Sequence, residues 1–254
     1  MPDSEVLPEN ISRINKDGTF SFSCHPRVQC FTECCRLLDL ALTPYDVLRL
    51  RLGTGLSSEE LLEKFIISEQ EPGEAFPRLY LSMVDDGKGS CVFVRNSGCS
   101  VYAHRPGACR TYPLGRAVMR GETDIKEYFV IIRERHCLGF NETAKHTPKS
   151  YTDDQDLILY NQFNDAMLEI FQHQAIRNGF IPSHQDITLF ILALYNLDTF
   201  RKTLLDDRLH LVHLNSMEKE QLQNDDERLL KFGIALVKKH IFSQVSHLDL
   251  QSLK

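Results

Sequence analysis

The chain of 254 residues has no lysine- or arginine-rich run, no apolar stretch of membrane-spanning length and no cysteine beyond residue 137. Each absence excludes something. With a net charge of -6, the missing basic run argues against a nucleic-acid or anionic-membrane surface. Ile187 to Leu197 is the most apolar run; it is too short for a bilayer and reads as a buried helix. Met-Pro-Asp-Ser-Glu-Val at the start lacks a basic region and an apolar core. No signal peptide is expected, and the predicted location is the cytoplasm. A phosphate-cradling glycine loop, a dinucleotide fingerprint, a nucleophile elbow and a His-Glu-x-x-His zinc motif are all missing. Catalytic residues therefore stay unassigned, and whether the protein is an enzyme stays open.

What is present is eight cysteines in the first half: Cys24, Cys30, Cys34, Cys35, Cys91, Cys99, Cys109 and Cys137. In a reducing compartment, clustered cysteines are metal ligands more often than disulfides. All eight are candidate metal ligands. Four converging thiolates suit zinc or an iron–sulfur cluster. Zinc knuckles use short Cys-x2-4-Cys turns, whereas the gaps here are five, three and zero residues, then seven and nine around the central stretch. Adjacent cysteines on extended backbone aim apart, so Cys34 and Cys35 would serve two sites or two irons. The preferred cofactor is an iron–sulfur cluster, with zinc as the alternative. Cys30-x3-Cys34 matches the opening of the radical-SAM pattern, but Leu37 stands where the third thiolate is required.

Other groups lie beside the cysteines. His25, His104 and His136 could replace a thiolate, although second-shell or surface hydrogen bonding suffices for each. Arg105 and Arg110 could donate N–H to sulfur, with Pro106 opening a short helical turn that carries Cys109 inward; a salt bridge is the plainer role. Tyr102 and Tyr112 read as packing residues. Asp153, Asp154 and Asp156 sit at an expected helix start, where the dipole accounts for them.

The patterning predicts an α+β fold: a small cysteine-rich metal-binding lobe packed against a C-terminal helical lobe. The expected domains are an N-terminal strap over 1–22, the cysteine lobe over 23–150 and the helical lobe over 151–254. A weak strand is expected at Thr19–Ser23 and another through Leu38, Leu40 and Leu42. Thr43-Pro44-Tyr45-Asp46 starts a helix to about Gly53; Ser57 and Glu60 form a capping box for a second, to about Ser68. Arg78–Val84 and Cys91–Arg95 read as strands joined through Gly87 and Gly89, and Glu127–Arg133 as a strand delivering Cys137. Thr152 and Gln155 suggest a cap for one helix to Asn178, and Ser183 and Asp186 one through about Leu204. Further helices are expected over Ser216–Asn224 and Asp225–Phe242. No internal repeat or long linker is found.

The cysteine spacing resembles the YkgJ-type cysteine-cluster family, nicknamed for Cys-x2-Cys-x2-Cys-Cys and described as zinc- or iron-chelating. The matching residues are Cys24, Cys30, Cys34 and Cys35, then Gly98-Cys99-Ser-Val-Tyr102 and Arg105-Pro106-Gly-Ala-Cys109-Arg110-Thr-Tyr112-Pro113, with Cys137 as the late cysteine. The first gaps depart from the nickname. The resemblance covers about residues 22–140 and implies metal chelation. Flagellin lysine methylases carry a similar cluster, but no S-adenosylmethionine site is evident here. Three readings follow: a metal- or cluster-binding protein with a redox, carrier or sensing role; a methylase-like enzyme; and a structural zinc module whose helical lobe meets a protein partner.

Overall fold

The computed structural model describes residues 7–120 and 125–249. The first six residues of the expected strap lie outside the described residues. In chain order the elements are β1 (Ile11–Ile14), β2 (Phe20–Ser21), β3 (Ala41–Leu42), α1 (Pro44–Thr54), α2 (Ser58–Phe65), β4 (Ile66–Glu69), β5 (Arg78–Leu81), β6 (Met83–Val84) and β7 (Ser90–Cys91). Then come β8 (Val94–Arg95), β9 (Gly98–Cys99), α3 (Gly107–Thr111), β10 (Leu114–Arg120), β11 (Ile125–Ile132), β12 (Lys145–His146) and α4 (Pro148–Asp154). The chain finishes with α5 (Ile158–Phe171), α6 (Gln174–Arg177), α7 (His184–Leu194), α8 (Leu197–Leu205), α9 (Ser216–Asn224) and α10 (Asp226–Asp249). The fold is α+β.

The chain divides into two compact units, one from residues up to Leu40 with Ser82–Gln162, the other from Ala41–Leu81 with Phe163 onward. Residues 41–81 thus group with the C-terminal helices, whereas the sequence reading ran the cysteine lobe unbroken from 23 to 150.

The first unit holds an antiparallel sheet ordered β1-β11-β10, with Ser12 opposite Ile131 and Leu114 opposite Ile131 on the other side. β11 was expected, and Ile125–Ile132 supplies the β-branched run that makes it. β1 and β10 were not expected, because Ser-Arg and Gly-Arg interrupt their apolar pattern. Phe20, Phe22, Leu114, Ile131 and Tyr151 form the core here, with Tyr112, Cys137 and Phe140 packed against it. Around the cysteines the strands are two-residue pairs: β6 with β7 and β8 with β9. Gly87 and Gly89 take positive φ in the first of these hairpins, as expected.

The second unit pairs β3-β5-β4 and packs capped helices around leucine and aromatic side chains. Thr43 and Asp46 close a capping box on α1, Ser57 and Glu60 one on α2, and Ser183 and Asp186 one on α7. Each satisfies backbone N–H groups that a helix start leaves unpaired. Helix α2 ends at Phe65 rather than Ser68: the β-branched Ile66-Ile67 pair continues as β4 against β5. Tyr45, Leu48, Leu61, Phe190, Phe200, Leu229 and Val237 are fully or almost fully buried. Gly233 lets α10 pass close to α7, since a Cβ there would collide with the carbonyl oxygen of Ala193. Arg51 bonds both oxygens of Asp198 at 2.7 Å and reaches Asp226 at 2.9 Å, while Arg201 also pairs with Asp226.

Two long expected helices are broken. The segment expected as one helix to Asn178 is α4, α5 and α6, with α4 capped by Thr147 and opened by Pro148. Asp156 adopts φ 52° between α4 and α5, which no continuous helix permits. The Ser183 helix stops at Leu194, and Asn196 precedes a separate α8.

Candidate metal centre

Cys24 lies on the loop after β2, Cys30 on the following turn, and Cys34 and Cys35 in a 3-10 turn over Glu33–Cys35. Cys91 ends β7, Cys99 ends β9, Cys109 lies in α3, and Cys137 closes a turn by donating its N–H to Glu134 O at 3.0 Å. All eight thiols are unbridged, and none is fully buried. Short, irregular pieces hold them because a loop end or 3-10 turn can aim a side chain where a long helix could not.

The thiols act on one another. Cys24 is pushed up to about 11 by burial first, then by the charges of Cys34, Cys30 and Cys137, with Arg105 pulling the other way. Cys34 is lowered to about 7, chiefly by a hydrogen bond from Cys35, and the same bond together with burial and the charges of Cys34, Cys109 and Cys91 raises Cys35. Cys91 and Cys99 are both raised, first by burial. Removing a thiolate from water without a compensating cation costs free energy, and negative neighbours add to that cost.

Main-chain amides partly offset it. Leu138 N–H donates to Cys30 Sγ at 3.1 Å. Phe93 and Val94 N–H groups bond the Cys91 sulfur, and Val101 N–H bonds that of Cys99. Gly98 at φ 120° makes the turn that sets Cys99 opposite Val94 in the β8–β9 hairpin. Amides aimed at sulfur support charged, metal-bound thiolates. Among the described residues, no three His, Cys, Asp or Glu side chains converge closely enough to hold a metal ion. The donor set still fits a thiophilic metal, because soft, unbridged sulfurs share one neighbourhood and several already receive N–H bonds.

The flanking residues differ from expectation. The Arg110 guanidinium donates to the carbonyls of Arg105, Ala103 and Gln155 and to the Tyr160 hydroxyl, all through neutral oxygens. Arg105 donates to Tyr102 O and Gln155 Oε1 and lies 3.9 Å over the Tyr102 ring. Among the described hydrogen bonds neither arginine reaches a sulfur; Arg105 acts on Cys24 and Cys99 through its charge alone. Helix α3 carries Arg110 inward and leaves Cys109 exposed, the reverse of the expected turn, since successive helical residues point about 100° apart. His25 pairs with Glu142 at 3.3 Å and accepts Arg27 N–H, and His136 is exposed. Tyr112 was read as packing. It does pack, edge-on against Phe22, but its hydroxyl also bonds the Cys137 thiol. The amide donors were invisible in sequence, because any residue supplies an N–H.

Residues 23–146 match the family model CxxCxxCC, described as a "putative zinc- or iron-chelating domain". That segment is similar to the CxxCxxCC domain. It includes Ala41–Leu81, which belong to the second unit. Within this matched segment the opening spacing is Cys24-x5-Cys30-x3-Cys34-Cys35, wider than the family's name implies. No curated protein and no solved structure matches the chain. No described helix is long and apolar enough to cross a membrane.

Proposed function

We propose that the cysteine unit holds an iron–sulfur centre through its eight thiolates and serves a redox, carrier or sensing role. The observation that carries this reading is the set of main-chain N–H groups directed at the sulfurs of Cys30, Cys91 and Cys99. Such donors stabilise negative sulfur and tune the potential of an iron–sulfur cluster. The gaps of five, three and zero residues are also unlike the short turns of zinc knuckles, which favours iron over zinc. Bound iron and sulfide would supply one-electron chemistry. The chain's part would be to hold the thiolates in one neighbourhood, to shield them partly from water and to offset their charge through amides and Arg105. The reading places the protein in the cytoplasm, where unbridged thiols stay reduced. It leaves the helical unit as the surface for a protein partner.

Anaerobic purification followed by iron, sulfide and zinc analysis, with visible and EPR spectra, tests it. Iron and acid-labile sulfide in matched amounts, with a broad visible absorption bleached by dithionite, are the expected result. A colourless protein with stoichiometric zinc would reject the cluster in favour of a structural zinc module.

A further inference from the structure

The backbone sorts the eight thiols into two groups. On one side, the isolated antiparallel bridge between Arg36 and Ser90, with Leu37 N–H donating to Gly89 O at 2.8 Å, joins the residues next to Cys35 and Cys91. On the other side, Leu138 N–H bonds Cys30 Sγ, which sets Cys30 against the residue that follows Cys137. Cys34 and Cys35 meet through their own hydrogen bond, so the vicinal pair lies where the groups join.

Mutual proximity divides the remaining cysteines the same way. Cys24 neighbours Cys34, Cys30 and Cys137; Cys35 neighbours Cys91 and Cys109; Cys91 neighbours Cys99. Cys99 also neighbours Cys34, and we place it with Cys91 because their β9 and β7 strands belong to consecutive hairpins.

We propose that the cysteine unit carries two metal centres, one built on Cys24, Cys30, Cys34 and Cys137, the other on Cys35, Cys91, Cys99 and Cys109. This rests on the thiolate-metal reading above and extends it. Each group offers four sulfurs, the number that a tetrahedral ion or a four-iron cluster takes. The pair lies in a 3-10 turn with the two thiols hydrogen-bonded, not on the extended backbone expected, and Cys34 and Cys35 stand at the junction where each supplies a different centre. The two centres differ in their surroundings. The first receives the Leu138 amide and the Tyr112 hydroxyl; the second receives the amides of Phe93, Val94 and Val101. Tyr112 is held for its task by the edge-on Phe22 ring and by Tyr151, whose hydroxyl donates to Tyr112 O at 2.6 Å.

The test uses the full-length chain stripped of metal and titrated anaerobically with cobalt(II), then with zinc(II) in competition. Cobalt reports thiolate ligation through its sulfur-to-metal and ligand-field bands. Two equivalents per chain are expected, with two separable band sets. Cys30→Ser and Cys137→Ser should each remove the first set, Cys35→Ser and Cys91→Ser the second, and every single variant should keep one equivalent. Circular dichroism identifies any variant that fails to fold, and the second variant of each pair then decides. Tyr112→Phe should shift only the bands that Cys30→Ser removes; a purely structural tyrosine would leave both sets in place. One equivalent in the wild-type protein, or loss of all cobalt from a folded single variant, overturns the division while leaving metal binding intact. No thiolate–cobalt band in the wild-type protein overturns the metal reading itself.

Discussion

The two units are stabilised in different ways. In the second, Leu48, Leu50, Leu61, Phe190, Leu194, Phe200, Leu229 and Val237 bury almost their whole surface, and capping boxes finish the helix starts. In the first, the five-residue core of Phe20, Phe22, Leu114, Ile131 and Tyr151 lies with the β1-β11-β10 sheet, while the cysteine hairpins contribute Phe93, Val101 and little else that is apolar and buried. Two-residue strands offer few ladder hydrogen bonds and almost no area, so the hairpins cannot offset their own ordering entropy. Chain that folds without a large apolar core commonly relies on cross-links or metal, and here unbridged thiols occupy that place. The lesson is that one chain can pair a region built on a large apolar core with one built on little apolar burial, recognisable by where its leucines stop and its cysteines begin.

The largest effect should come from metal removal. Chelation of the loaded protein is expected to open residues 24–40 and 82–137 to proteolysis while 41–81 stays protected and far-UV circular dichroism keeps most of its helical signal; unchanged cleavage of 24–40 and 82–137 would erase the proposed contrast. Next is a cavity in the second unit. Leu229→Ala removes a fully buried side chain and should cost about 2–5 kcal/mol in denaturant unfolding, without altering metal content. A loss of metal in that variant would show that the units do not act separately.

A smaller effect is expected with acid. Burial raises the Asp198 carboxyl, but bonds from Arg51 and Ser58 outweigh it and hold the group below its usual range. The folded state then binds fewer protons than the unfolded state, so the contribution is complete above the ordinary aspartate value of about 4. It is lost as pH falls through the lower folded value. The thermal midpoint should therefore drop through this acid window, and Asp198→Asn should flatten that part of the profile. The mildest change is Ser183→Ala, which removes the side-chain acceptor at the start of α7 and should cost about 1 kcal/mol, read from the same denaturation curves.

Legibility followed the range of the signal. Helices α1, α2, α7 and α9 carry their caps within a few residues, so their starts could be read directly. Strand β1 could not, because its partner β11 lies more than a hundred residues away in the chain, and β10 could not, because Gly115 and Arg116 break its apolar pattern and its pairing with β11 makes it a strand. The helix break at Asp156 likewise answers to tertiary demands: Gln155, at the end of α4, takes donors from Arg105 and Arg110. Those arginines were expected to donate to sulfur, yet their hydrogen-bond partners are oxygens, mostly carbonyls, which carry no residue signature.

The amino-acid sequence alone determined the α+β class, the run of eight cysteines, the resemblance it carries and the capped helices, since composition and short-range spacing encode soft donors and helix starts. Only the tertiary structure decided which sulfurs are neighbours, which amides face them, that Arg110 turns inward while Cys109 stays exposed, and that residues 41–81 join the helical unit. Those outcomes depend on long-range strand register and on backbone donors common to every residue, and neither leaves a local pattern to read.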